Sequence, residues 1–168
     1  MPGMRLADEI LGRVTEPITA YKLQKLMFYA NAIHLVETGQ PLAEFKAYEN
    51  GPVCPEVFNR FKGRRHLSSS DGRGDSYPAD SSAAGAVDEA LAIYGGFSAD
   101  ALVEMTHSES PWIEAWGAGG KWIDESSIRD FYGRQFAEER AWRESLWADP
   151  NRGMVSTELA ERYAHLLN

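Results

Sequence analysis

The side chains able to perform nucleophilic or acid–base chemistry in this 168-residue chain are one cysteine and four histidines, which are widely scattered. Cys54 and His107 together would supply the thiol and the general base of a small hydrolase. Neither has an evident third group to orient it, because Cys54 lies between Val53 and Pro55 and His107 lies at a predicted helix end. A Cys/His hydrolase is kept as an alternative, and an unreactive cysteine in a turn is the main expectation.

Metal and cofactor sites are not predicted by the residue pattern. No two histidines have the i, i+4 spacing of a helical metal site. A single cysteine allows neither an intrachain disulfide nor a thiolate zinc cluster. The glycine pairs at 95–96 and 119–120 are not followed by the Lys-Ser/Thr of a phosphate loop. We therefore expect no catalytic residue, no metal and no cofactor.

The charge balance opposes nucleic-acid binding. The chain has 25 acidic and 17 basic residues and a net charge of −8, so it lacks the broad positive field that attracts phosphate backbones. The basic run of Lys62, Arg64, Arg65 and His66 is interpreted as a solvated helix end. No stretch approaches the roughly 20 apolar residues that cross a bilayer. These features predict a cytoplasmic protein with neither a nucleic-acid nor a membrane partner.

Three short motifs dominate the sequence: KLQKLMFYA at 22–30, ENGPVCP at 49–55 and THSESPWIEAW at 106–116. The spacing of the first predicts a core helix with an apolar stripe and with Lys22 and Lys25 at its margin. Asn-Gly-Pro predicts a tight turn with positive φ at Gly51. Lys22, Lys25 and Trp112 would then converge in a partly exposed patch suited to a protein partner.

The elements that carry these motifs follow from caps, breakers and periodicity. Thr19 should cap the motif helix and Gly39 should end it. An extended segment at 45–48 is expected to pair with 121–123 in a small ribbon. Other helices are predicted at about 6–14, from Pro55, from Ser82, after the Ser98 cap, at 110–116, 127–147 and 157–167, while residues 63–80 are expected to be a mobile loop.

Taken in order, the three motifs resemble the SocA-like Panacea antitoxin domain family over residues 4–132. The resemblance implies a mainly α fold, namely a single helical domain with a small two-stranded β element. It implies a Panacea domain at 1–133. Past the resemblance the chain continues in a C-terminal helical extension at 134–168, which we expect to pack on the same domain.

The same resemblance implies function. Members are antitoxins of bacterial or prophage toxin–antitoxin systems that neutralise a cognate toxin by direct binding, and one branch acts as a proteolytic adaptor for ClpXP. It supplies no catalytic residues. A phage-derived regulator of a host protein is a further alternative. The motif positions carried over as structural are Gly51 and Pro52, and those carried over as partner-binding are Lys22, Gln24, Lys25, Tyr29, Thr106, His107 and Trp112.

Overall fold

A computed structural model of the chain describes residues 1–148. Within that range the protein is mainly α, as predicted, with seven α-helices, one 3-10 turn and two small two-stranded sheets. None of the described helices is long and apolar enough to cross a membrane. The elements in chain order are α1 (Pro2–Leu11), β1 (Ile18–Thr19), α2 (Ala20–Thr38), β2 (Lys46–Tyr48), β3 (Gly51–Val53), α3 (Pro55–Arg60), β4 (His66–Leu67), the 3-10 turn (Ser69–Asp71), α4 (Ser82–Tyr94), α5 (Ala99–His107), α6 (Ser110–Gly117) and α7 (Glu125–Ala148).

Helix α2 is the central element, and its predicted ends are confirmed. The Thr19 hydroxyl oxygen accepts from the Lys22 amide at 3.0 Å, and Gly39 ends the helix in the left-handed region with φ 74°. Every residue from 23 to 35 is buried, because α1, α4, α5 and α7 surround the helix. The predicted exposed basic margin is therefore wrong for Lys25, which has 0% of its surface exposed.

The predicted β pairing is present, and an unpredicted hairpin is added to it. Strands β2 and β3 form an antiparallel hairpin in which Lys46 pairs with Val53 and Tyr48 with Gly51. Segment 121–123 pairs with the other edge of β2, as predicted, through an antiparallel bridge between Lys46 and Trp122. The Ala47 amide donates to the Lys121 carbonyl oxygen at 2.9 Å, and the Ile123 amide donates to the Phe45 carbonyl oxygen at 2.8 Å. The second sheet pairs β1 with β4 and was not predicted.

The segment from Gly63 to Asp80 holds more structure than its composition indicated. It contains β4 and the 3-10 turn, and Leu67 is buried. Carboxylates of α1 bind its backbone: Asp8 Oδ2 accepts from the Asp75 amide at 3.3 Å and Glu9 Oε2 from the Tyr77 amide at 2.8 Å. The expectation of no regular structure is wrong because it ignored these tertiary partners, whereas the segment's mobility stays a prediction.

Several helix ends are shifted from their predicted positions. Helix α1 covers 2–11 where 6–14 was expected. Ser81 caps α4 in place of Ser82, and the predicted Ser98 cap of α5 is confirmed. Helix α7 begins at Glu125 and runs through the predicted domain boundary at 133/134 without a break. The predicted helix at 157–167 lies outside the described residues.

Candidate functional site

The three sequence motifs meet at the β2–β3 hairpin. Helix α2 supplies Gln24 and Lys25 from one side, and the α5–α6 junction supplies His107 and Trp112 from the other. All four side chains bond backbone groups of the hairpin or of Cys54, the residue that follows it. We call these four residues the hairpin clamp.

The α2 half of the clamp is buried. Lys25 Nζ donates to the carbonyl oxygen of Pro52 at 2.8 Å, and Gln24 Oε1 accepts from the Cys54 amide at 2.8 Å. Burial lowers the pKa of Lys25 to about 7, because desolvation penalises the ammonium form. These side chains therefore satisfy backbone groups that would otherwise be unpaired in the core.

The α5–α6 half holds the turn end of the hairpin. Trp112 Nε1 donates to the Tyr48 carbonyl oxygen at 2.8 Å, and His107 Nε2 donates to the Glu49 carbonyl oxygen at 2.9 Å. The two rings are stacked, with centroids 4.1 Å apart and an interplanar angle of 25°. Stacking and hydrogen bonding together fix the orientation of both rings.

Gly51 sits where both halves of the clamp meet. Its positive φ, as predicted, is a conformation that L-residues with a side chain rarely adopt. A Cβ at this position would lie 2.6 Å from Lys25 Cε and 2.7 Å from Thr106 Oγ1. The Thr106 hydroxyl is itself held by a 2.9 Å bond to the Val103 carbonyl oxygen. Glycine is therefore required by both backbone geometry and packing.

A second buried cluster surrounds Glu109 of the third motif. The Tyr29 hydroxyl donates to Glu109 Oε1, and the Tyr29 ring stacks on Tyr94 with centroids 3.9 Å apart. Tyr132 meets Tyr29 edge-on at 6.0 Å. Burial raises the pKa of Glu109 to about 7, because desolvation outweighs the hydroxyl groups of Tyr132 and Tyr29, which lower it. No sequence pattern predicts this cluster, because its members come from α2, α4, α7 and the junction between α5 and α6.

The predicted partner-binding residues thus divide into two groups. Gln24, Lys25, Tyr29, Thr106 and Trp112 are buried and hold the hairpin or the core. The partial exposure expected of Lys25 and Trp112 is therefore wrong. Lys22 and His107 are half-buried; Lys22 Nζ bonds the Gly95 carbonyl oxygen at 2.7 Å. A partner-binding role for the predicted residues stays a prediction.

Exposed apolar residues lie next to the clamp. Ile113 and Trp116 on α6 and Trp122 after it are 46%, 42% and 55% exposed. Trp116 stacks on the clamp residue Trp112, with centroids 5.8 Å apart and an interplanar angle of 11°. We call Ile113, Trp116 and Trp122 the tryptophan surface. The i, i+3 spacing of Ile113 and Trp116 was the sequence signal for a shared helix face, but it did not show that this face points outward.

The geometry of Cys54 and His107 does not resemble a catalytic pair. Cys54 is 2% exposed, and burial raises the pKa of its thiol, which keeps it in the poorly nucleophilic form. The Nε2 of His107 is taken up by the Glu49 carbonyl group. Within residues 1–148, no group of three or more His, Cys, Asp or Glu residues could hold a metal ion.

Comparison with known proteins gives two consistent matches. The family described as "Antitoxin SocA-like, Panacea domain" matches residues 23–113. Antitoxin SocA of Caulobacter vibrioides (strain NA1000 / CB15N) is 32% identical over 110 residues, which are 57% of this chain and 58% of that protein. The chain therefore aligns with less than two thirds of that relative's length. No solved structure matches significantly.

Proposed function

Because this chain belongs to the SocA-like Panacea antitoxin family, we propose that it neutralises the toxin of a bacterial or prophage toxin–antitoxin system by direct protein binding. In this proposal the chain is a cytoplasmic, non-enzymatic antitoxin whose partner is its cognate toxin. Family membership supports the antitoxin role, and the surface beside the motifs supports binding as the means.

The observation that carries the binding mode is the tryptophan surface. Large apolar side chains cost free energy when they remain in water, and tryptophan is enriched among residues that dominate protein–protein binding. Trp116 is backed by Trp112, whose own indole is fixed to the hairpin by a hydrogen bond. An aromatic residue held in place in this way loses little conformational freedom on binding. The surface is therefore suited to cover part of a toxin.

A second route follows from the adaptor branch of the family. Toxin bound at the same surface would be delivered to ClpXP, so that its half-life would shorten when this chain is present. Occlusion alone would leave the half-life of the toxin unchanged or lengthen it. A pulse-chase of the toxin in cells with and without ClpX separates the two routes.

The direct test of function is a growth assay with the protein encoded by the adjacent reading frame. We expect that protein to stop growth when expressed alone and to be neutralised by co-expression of this chain. The Trp116→Ala/Trp122→Ala variant should lose protection, whereas Glu104→Ala, which changes an exposed residue of α5, should keep it. A non-toxic neighbour, or a toxic one that this chain does not neutralise, would contradict the antitoxin proposal for that gene pair.

A further inference from the structure

A separate apolar groove opens on the other side of the hairpin turn. It has a volume of about 380 Å³ and lies between the start of α2, the hairpin, α3 and β4. Its apolar lining comes from Tyr21, Leu23, Tyr48, Val53, Val57, Phe58, Phe61 and Leu67. A cavity of roughly 150 Å³ holds one benzene ring, so this groove has room for about two ring-sized side chains.

The groove is open to solvent through two aromatic residues. Tyr21 is 52% exposed and Phe58 is 41% exposed, although both are large apolar side chains. Phe58 packs edge-on against Tyr48, with ring centroids 5.5 Å apart. The backbone carbonyl of Tyr48 accepts the bond from Trp112, and Trp112 in turn stacks on Trp116 of the tryptophan surface.

The α3–β4 rim of the groove carries positive charge. Residues 60–65 contain Arg60, Lys62, Arg64 and Arg65 and no acidic residue, in a chain of net charge −8. Arg64 is paired with Asp71 at 2.6 Å. Lys62 and Arg65 are exposed and form no ion pair within residues 1–148. Lys62, which lines the groove, is therefore available to a partner, and Arg65 adds a second exposed cation three residues along the chain.

The opposite rim has a different character. Glu49 and Asn50, the turn residues of the hairpin, line it there. An acidic residue of a partner would be repelled by Glu49 and attracted by Lys62 and Arg65. The charges therefore favour one orientation of an occupant, with its acidic part over the α3–β4 rim.

We propose that this groove binds an acidic, amphipathic segment of the toxin, which inserts about two large apolar side chains between Tyr21 and Phe58 and places carboxylates against Lys62 and Arg65. The inference rests on the proposed antitoxin function and names the chemistry of the partner. Apolar burial supplies affinity, while the charged rim supplies orientation and a faster, salt-dependent association. A second copy of this chain is the competing occupant, and its binding is an outcome of the test.

The first arm of the test is crosslinking. Phe58 is replaced by the photo-crosslinking residue benzoylphenylalanine, the complex with the toxin encoded by the adjacent reading frame is irradiated, and the crosslinked peptide is sequenced by mass spectrometry. We expect a toxin peptide that contains large apolar residues flanked by Asp or Glu. A crosslink to a second copy of this chain, or to a basic toxin segment, would overturn the proposal.

The second arm is a charge reversal with a matched control. The Lys62→Glu/Arg65→Glu variant should raise the Kd for the toxin by at least about tenfold and flatten its dependence on salt between about 0.05 M and about 0.5 M. The control Arg73→Glu/Arg129→Glu makes the same charge change at exposed residues away from the groove. It should change the Kd by less than about threefold. Equal effects of the two variants would overturn the proposal.

The two arms separate failure of the groove from failure of the function. If the wild-type chain does not bind the toxin, the antitoxin proposal fails and the groove proposal falls with it. If the wild type binds and the tryptophan-surface variant does not, while the Lys62→Glu/Arg65→Glu variant binds normally, the function stands and the groove proposal is wrong.

Discussion

Lys25 and Pro52 are joined inside the protein by a hydrogen bond of 2.8 Å between the lysine Nζ and the proline carbonyl oxygen. This bond ties the central helix to the hairpin at a place where no water can replace it, since Lys25 is fully buried. A lysine of the first motif thus holds the hairpin against the core.

The buried amine should make stability depend on pH in the neutral to alkaline range. Burial lowers the pKa of Lys25 from 10.5 to about 7, so the folded state favours the neutral amine. The free energy of unfolding therefore rises with pH between these two pKa values, and this gain is lost as the pH falls through 7. Relative to Lys25→Met, the wild type should gain about 2 kcal/mol of unfolding free energy between pH 7 and pH 9. Urea unfolding across this range measures the difference. Lys22→Met, at a half-buried lysine that also bonds a carbonyl group, is the matched control. Parallel curves of unfolding free energy against pH for the wild type and Lys25→Met would refute the account of Lys25.

Substitution of Gly51 by a residue with a side chain should destabilise the fold by more than the cost of the positive φ alone. Its φ of 106° costs about 1–3 kcal/mol for a residue with a side chain, and the added Cβ would also press on Lys25 Cε and Thr106 Oγ1. Gly39→Val is the control, because Gly39 has φ 74° and open space around it. Thermal unfolding should show a larger loss for Gly51→Val than for Gly39→Val. Equal losses would mean that packing against Lys25 and Thr106 contributes nothing.

Glu109, the buried acid beside Tyr29 and Tyr132, should make stability fall as the pH rises, which is the opposite of the effect of Lys25. Burial raises the pKa of Glu109 to about 7, so its contribution to stability is fully present below its unfolded pKa near 4.5 and is lost as the pH rises through 7. Glu109→Gln keeps an acceptor for the Tyr29 hydroxyl and removes the titration. Between pH 5 and pH 8 the free energy of unfolding of the wild type should fall by about 2 kcal/mol relative to that of Glu109→Gln. Denaturant titrations at the two pH values decide this, and Glu104→Gln, at an exposed residue of α5, should behave like the wild type.

Cys54 and His107 should be chemically dispensable. Cys54→Ser and His107→Gln are each expected to keep toxin protection in the growth assay, because burial holds the thiol protonated and the imidazole serves as a hydrogen-bond donor to Glu49. Glutamine can donate the same bond. Loss of protection in both variants while they remain folded, together with a measured catalytic turnover, would instead support the hydrolase alternative.

Sequence reasoning succeeded where the signal was local. The Thr19 cap, the Gly39 stop and the positive φ at Gly51 each depend on a few neighbouring residues, and all three are confirmed. It failed for Lys25, because spacing along one helix cannot show that other helices enclose its polar margin. The hydrogen bonds of Asp8 and Glu9 to the segment 63–80 were missed for the same reason, since those contacts span about 67 residues of sequence.

The candidate site shows the same limit. Of the residues that the motifs marked, Gln24, Lys25, His107 and Trp112 meet at the hairpin, whereas Lys22 bonds Gly95 and Tyr29 packs around Glu109. Burial assigns Gln24 and Lys25 to the interior. Trp116 and Trp122 carry no sequence feature that distinguishes an exposed tryptophan from a core one. Their exposure depends on how α6 packs on the hairpin and on α7, which is a property of the whole fold.

The central claim is that the tryptophan surface binds the toxin directly. Isothermal titration of the purified toxin encoded by the adjacent reading frame into the purified wild-type chain tests it most directly, with Trp116→Ala/Trp122→Ala and Glu104→Ala measured alongside after thermal unfolding shows that both are folded. We expect a saturable complex with the wild type and with Glu104→Ala, and a Kd raised at least about thirtyfold in the double tryptophan variant, as expected for removal of binding hot spots. An unchanged Kd in the folded double variant would contradict the account.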